Sequence, residues 1–253
     1  MSGHNKWSQI KYQKATADLR RGKVFSKIAG AIAAAVKVGG SDMSANIRLR
    51  LLLDQARHLN MPKENVSRAI QRGEGKLTGA NIEEVLYEAY GPAGIAIIIN
   101  VITDNRNRTT ALIRSTLNKF GGRLAENGAV KYLFEQKGVL IINLESNQQI
   151  NKDELILKII DAGALDFVED NSNLTVYTPP KELEQVKKNL EQSNIIIQEI
   201  KLSWEPKNMI EISDAQKATQ ILNFMDILDE IEEVNSIYSN FDIEDKILEG
   251  QYK

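Results

Sequence analysis

The first 23 residues, MSGHNKWSQIKYQKATADLRRGK, carry four lysines, two arginines and one acid, Asp18. Trp7 and Tyr12 lie among them. Cations interleaved with aromatic rings suit a nucleic acid: the cations neutralise phosphates and the rings stack on bases. Placed on a helix at about 100° per residue, Lys6, Lys11, Lys14, Arg20, Arg21 and Lys27 scatter around the axis. Apolar positions are few: Trp7, Ile10, Tyr12 and Leu19. Such a segment buries too little to offset its own ordering entropy. Three readings stay open. It is a basic arm that orders on a phosphate backbone, a solvated basic helix with Trp7 plugged into a helical bundle, or a contact for acidic proteins. Its apolar face is too thin for a membrane-surface helix.

Further basic residues follow: Lys23, Arg48, Arg50, Arg57, Lys63, Arg68 and Arg72. Arg68 and Arg72 are i, i+4 neighbours on one helix face. Singly each reads as a solvated side chain; together with the arm they make a basic module. A second candidate is TDNRNRTT, between the end of an apolar strand and the start of a helix. Asp104 or Asn105 can cap there, and Arg106 and Arg108 flank free backbone N–H groups, which suits an anion. The alternative is a cap with surface salt bridges to acids elsewhere.

Other patterns give less. GEGK at Gly73–Lys76 fails as a phosphate loop, because Ile70 stands where the first glycine belongs and Leu77 where Ser or Thr does. The two histidines, His4 and His58, lack metal-ligand spacing. The acidic run DILDEIEEV sets Ile227, Leu228 and Ile231 inward, so its acids read as a solvated face. There is no cysteine, which excludes disulfides and thiolate chemistry. No nucleophile, base and orienting group come together in sequence, so the expectation is a non-enzyme without cofactor or metal.

The elements that must position these residues come in two kinds. Residues 1–80 have 15 bases and 5 acids, a charge of +10, and the rest of the chain carries −12. A polyanion would therefore be confined to the N-terminal part. The sequence VFSKIAGAIAAAVKVGG repeats apolar residues at helical spacing and ends at Gly39–Gly40. In SDMSANIRLRLLLDQARHLN, Ser41, Asp42 or Ser44 is placed to cap a second helix. Pro62 opens a third and Gly73 closes it. None can bury its stripe alone, so they pack as a bundle.

From Ile82 the period changes. EEVLYEAY and GIAIIINVITD are strands, the second apolar on both faces and hence central in a sheet. NRNRTTALIRSTLNKFGG is a helix, and RLAENGAVKYLFEQ reads as a strand. Residues Gly138–Trp204 follow the β-α-β-β-α-β order of ferredoxin-like domains. The tail adds the helix SDAQKATQILNFMDILDEI and the strand EVNSIYSNFDI. The expected fold is α+β: an N-terminal three-helix basic bundle followed by two ferredoxin-like α/β domains, one inserted in the other. The boundaries are a basic arm 1–23, a helical domain 24–80, a discontinuous domain 81–135 plus 205–253, and an inserted domain 136–204. The alternative is two α/β domains in series with a C-terminal helix and strand. No run approaches the ~18 apolar residues of a membrane span, and no apolar region follows the basic start as in a secretory signal, so the expected location is the cytoplasm.

Four blocks also resemble the YebC family: GHNKWSQIKYQKATADLRRGKVFSK, NIRLR…ARHLNMPKENVSRAIQRGEG, YEAYGPAGIAIIINVITDNRNRT and KFGGRLAENGAVKYLF. The resemblance implies one helical and two α/β domains and no catalysis. It implies a probable DNA-binding transcriptional regulator. The alternative it offers is a translational activator on the ribosome, holding ribosomal or transfer RNA and relieving stalling on proline-rich chains. Carried over by position, the implied contacts are Lys6, Trp7, Lys11, Lys14, Arg21, Lys23 and Lys27, with Arg106 and Arg108 second. The acidic α/β body is left to orient the molecule or meet protein partners.

Overall fold

The computed structural model of this 253-residue chain describes residue 7 and residues 18–77, 82–170, 172–244 and 247, with backbone alone for 18–21. Glu135–Glu205 forms one compact unit, and the described residues on either side of it form another.

The larger unit opens with α1 (Asp18–Gly39), α2 (Ile47–His58) and α3 (Lys63–Gly73). Helix α1 starts at Asp18, so Arg20, Arg21 and Lys23 are already helical. It ends where Gly40 takes a left-handed φ of 78°, which costs glycine nothing. Ile28, Ile32, Val36, Leu49, Ala56, Met61 and Ala69 close over one another as the bundle core. The cap of α2 is not Ser41, Asp42 or Ser44. It is Asn46, whose side chain accepts from Leu49 N at 3.0 Å. The Asn46 amide also donates to Ala35 O at 2.9 Å and Gly40 O at 2.8 Å, tying the end of α1 to the start of α2. Asp42 instead closes a turn with the backbone and hydroxyl of Ser44.

The same unit contains β1 (Glu83–Tyr90), β2 (Ala96–Thr103), α4 (Arg106–Lys119) and β3 (Arg123–Leu124). After the inserted unit the chain returns with β8 (Ile210–Ile212), α7 (Ala215–Glu230), β9 (Val234–Ser239) and β10 (Phe241–Ile243). The sheet order is β3-β1-β2-β9, with the β1–β2 hairpin at its centre. Strand β2 is buried almost throughout, as a strand apolar on both faces must be. On one face α4 and α7 share a core with the sheet: Ile97, Ile99, Ile113, Leu117, Phe224 and Leu228. Helix α1 approaches β2, where Gly30 leaves only 3.6 Å between a would-be Cβ and Ile102.

RLAENGAVKYLFEQ is not one strand. Only Arg123–Leu124 pairs with β1, followed by a loop and a short 3-10 turn at Lys131–Leu133. The loop is organised by Glu88, a buried carboxylate that accepts from Gly128 N, Val130 N and Lys131 N at 2.6–2.7 Å. EVNSIYSNFDI likewise divides at Asn240, and β10 forms a separate parallel pair with β8.

The inserted unit comprises β4 (Phe134–Asn143), α5 (Lys152–Asp161), β5 (Asp166–Asp170), β6 (Asn173–Thr178), α6 (Leu183–Gln192) and β7 (Glu199–Pro206). Its sheet order, β5-β6-β4-β7, places its first and third strands in the middle, as in ferredoxin-like domains. The sheet of the larger unit has the same helix-on-sheet layers but a different strand order, because its opening hairpin is central.

Candidate nucleic-acid interface

Helix α3 turns Ala69 inward and leaves Lys63, Arg68 and Arg72 exposed. Neither Arg68 nor Arg72 has an acidic partner among the described residues.

The start of α4 lies directly after the central strand. Asn105 caps it, accepting from Arg108 N at 3.1 Å, and Thr103 Oγ accepts from Asn105 N at 2.9 Å. Arg106 is exposed and has no acidic partner among the described residues. Arg108 donates to Asp104 at 2.7 Å and Glu233 at 3.3 Å. The two readings of this segment thus divide by residue, with Arg108 in surface salt bridges and Arg106 open.

One member of each group, Arg72 and Arg108, meets the other at a cleft. The cleft, of about 340 Å³, is lined by Lys27 of α1, Arg72 of α3, Arg108 of α4, and by Asp104, Glu232 and Glu233. Bases and acids line it together; the open arginines Arg68 and Arg106 belong to the same two elements but lie outside its lining.

Other candidates are engaged internally. Both terminal guanidinium nitrogens of Arg48 donate to the Glu84 carboxylate at 2.5 Å, and Asn100 donates to Glu84 at 2.9 Å. Burial pushes the Glu84 carboxyl up, but the Arg48 guanidinium and the Asn100 amide outweigh it and hold it below its ordinary value. The hydrogen bond to Glu84 raises Arg48 in turn. Arg48 therefore fastens the bundle to the sheet. Lys37 does the same by donating to Ile82 O at 2.7 Å.

Trp7 is 4% exposed and belongs to the core of the α/β body, not to the helical bundle. Its indole N–H donates to Asp226 at 3.2 Å. In this conformation the ring is covered and presents no face for a base. Lys23 pairs with Glu230 at 2.7 Å. Lys27 pairs with Asp229 at 2.6 Å and donates to Asp229 O at 3.1 Å, at the carbonyl end of α7. The acidic run DILDEIEEV is thus no simple solvated face. Asp226, Asp229, Glu230 and Glu233 take up Trp7, Lys27, Lys23 and Arg108. The i, i+3, i+4 spacing of Asp226, Asp229 and Glu230 puts those three on one stripe of α7, and that spacing is the signal by which sequence reading could have found them; Glu233 lies in the turn that follows.

Lys6, Lys11 and Lys14 lie outside the described residues. Arg20 and Arg21 lie on α1, and only their backbone is described. Among the described residues, no group of three or more His, Asp or Glu is placed to hold a metal, and no helix is long and apolar enough to cross a membrane.

Two family models match the chain: the TACO1/YebC protein N-terminal domain over residues 5–76, and the TACO1/YebC second and third domain over residues 82–241. The chain belongs to the TACO1/YebC family. A relative from Halothermothrix orenii is 43% identical, with 98% of each chain covered, and one from Sulfurihydrogenibium is 44% identical at the same coverage. Both are named probable transcriptional regulatory proteins. The crystal structure of a conserved hypothetical protein from Aquifex aeolicus superposes with a TM-score of 0.83 at 39% identity, covering 92% of this chain and 94% of that one. The α+β architecture is that of the family. Of the candidate cations, Lys6 to Arg72 fall in the TACO1/YebC N-terminal model and Arg106 and Arg108 in the second.

Proposed function

We propose that this protein is a non-enzymatic, cytoplasmic nucleic-acid-binding regulator of gene expression, with DNA as its ligand. The observation that carries this is the convergence of α3 and the N-terminus of α4 on one cleft, with Arg68, Arg72 and Arg106 exposed and unpaired by acids among the described residues. Unpaired guanidinium groups on rigid helices suit phosphate oxygens, because no existing ion pair has to break first. The +10 block would face the polyanion, and the −12 remainder would keep binding off the rest of the surface. The relatives' names support a role in transcription. On this reading Trp7 is a core residue of the α/β body, and Arg48 a fastener between bundle and sheet. The remaining basic residues, Lys6, Lys11, Lys14, Arg20, Arg21, Lys23 and Lys27, supply further phosphate contacts.

Crosslinking in living cells followed by sequencing tests the reading. Enriched chromosomal DNA is the expected result. Enrichment of ribosomal or transfer RNA alone would move the ligand from DNA to RNA, and enrichment of neither would end the proposal.

A further inference from the structure

Three carboxylates on one stripe of α7 hold groups of the N-terminal part: Asp226 holds Trp7, Asp229 holds Lys27 and Glu230 holds Lys23, while Glu233, in the turn after α7, holds Arg108. Neighbours on such a stripe lie about 5–6 Å apart. A row of anionic oxygens at that interval resembles, to a lysine, one strand of a phosphate backbone.

We propose that the acidic end of α7 is an internal polyanion mimic that occupies Lys23 and Lys27 in the free protein and competes with nucleic acid for them. This rests on the nucleic-acid reading above and adds its regulation. Lys23 and Lys27 are carried by α1 in the same compact unit as α7, so they meet the acids at high effective concentration. The contacts are graded. The Lys27 side chain is 12% exposed and also bonds a helix-terminal carbonyl. Glu230 is 70% exposed, so the Lys23 pair is the weaker one and yields first. Nucleic acid must displace carboxylates to reach these lysines. It needs to displace none at Arg68, Arg72 and Arg106, which form the entry surface. The mimic thus penalises weak, sparse anions more than a continuous backbone that replaces every contact at once.

The test uses the full chain and a fluorescent DNA duplex of about 30 base pairs, followed by anisotropy. Asp229→Asn with Glu230→Gln removes two competing charges while keeping side-chain shape. Counting each pair at no more than the worth of an exposed one, the two together are worth about three- to thirtyfold in affinity, and at least that tightening is expected. Glu182→Gln with Glu191→Gln changes the net charge equally in the 135–205 unit and is the control. Glu230→Gln alone, at a highly exposed position, gives the same direction without risk to folding. Equal tightening in the control would reduce the effect to net charge and overturn the mimic. Unchanged affinity in both Glu230 variants would also overturn it while leaving the nucleic-acid reading intact. Failure of every protein, wild type included, to bind duplex at low salt would overturn the functional reading, and the mimic with it.

Discussion

Glu88 shows what one buried carboxylate does in this fold. It is 5% exposed and accepts three backbone N–H groups from the loop after β3. Burial pushes its carboxyl up, but the N–H groups of Gly128, Lys131 and Val130 and the Lys131 charge outweigh that and hold it below its ordinary 4.5. The sign follows. Its contribution to stability is complete above the unfolded-state pKa and is lost as pH falls through the lower folded-state value. Glu88→Gln turns an amide N–H₂ toward donors that need an acceptor, at a cost of about 1–3 kcal/mol. Urea denaturation at pH 7 should show that loss, and the gap between variant and wild type should narrow in acid below the folded-state value. A gap independent of pH would assign the loss to packing instead of charge.

Helix contacts depend on glycines chosen by their surroundings. A Cβ on Gly73 would lie 2.5 Å from Ala33 O and 2.7 Å from Val36 Cβ, so α3 seats against α1 only without a side chain there. Gly73→Ala gains about 1 kcal/mol of helix propensity but collides with backbone, and a net loss of about 1–3 kcal/mol is expected. Gly22 in α1 has nothing within 4 Å of a would-be Cβ, so Gly22→Ala should raise the melting temperature slightly. Thermal melts of the two variants should move in opposite directions; a stabilised Gly73→Ala would contradict the packing described. The helices were legible because amphipathic stripes, Gly39–Gly40, Pro62 and Gly73 are local signals. Strand β2 was legible because its apolar run has no polar face. The true cap of α2 was hidden because Asn46 is chosen by distant carbonyls of α1. RLAENGAVKYLFEQ looked like a strand because its distortion comes from Glu88, a residue some 40 positions earlier. The central hairpin of the larger sheet was hidden for a related reason: strand order is set by long-range pairing with β9, which no local pattern records.

Across the whole molecule, charge separation was plain in composition, but its internal use was not. The N-terminal block and the acidic remainder are not simply apart; α7 brings three acids onto Trp7, Lys23 and Lys27, and Glu233 just after it meets Arg108. Arg68, Arg72 and Arg106 are left exposed without an acidic partner among the described residues, on two elements that contribute to one cleft. That set could not be singled out in the sequence, where every arginine of the bundle looked equally solvated. Arg48 and Arg68 differ only through Glu84, which is 36 residues from Arg48 and lies in another element.

The central claim is that these open arginines bind phosphates, and the salt dependence of affinity measures it most directly. Log affinity for a DNA duplex should fall linearly with log salt, with a slope of about 0.9 per phosphate neutralised. Arg68→Ala, Arg72→Ala and Arg106→Ala combined should weaken binding and flatten that slope by about 2–3. A slope identical to wild type would contradict the account.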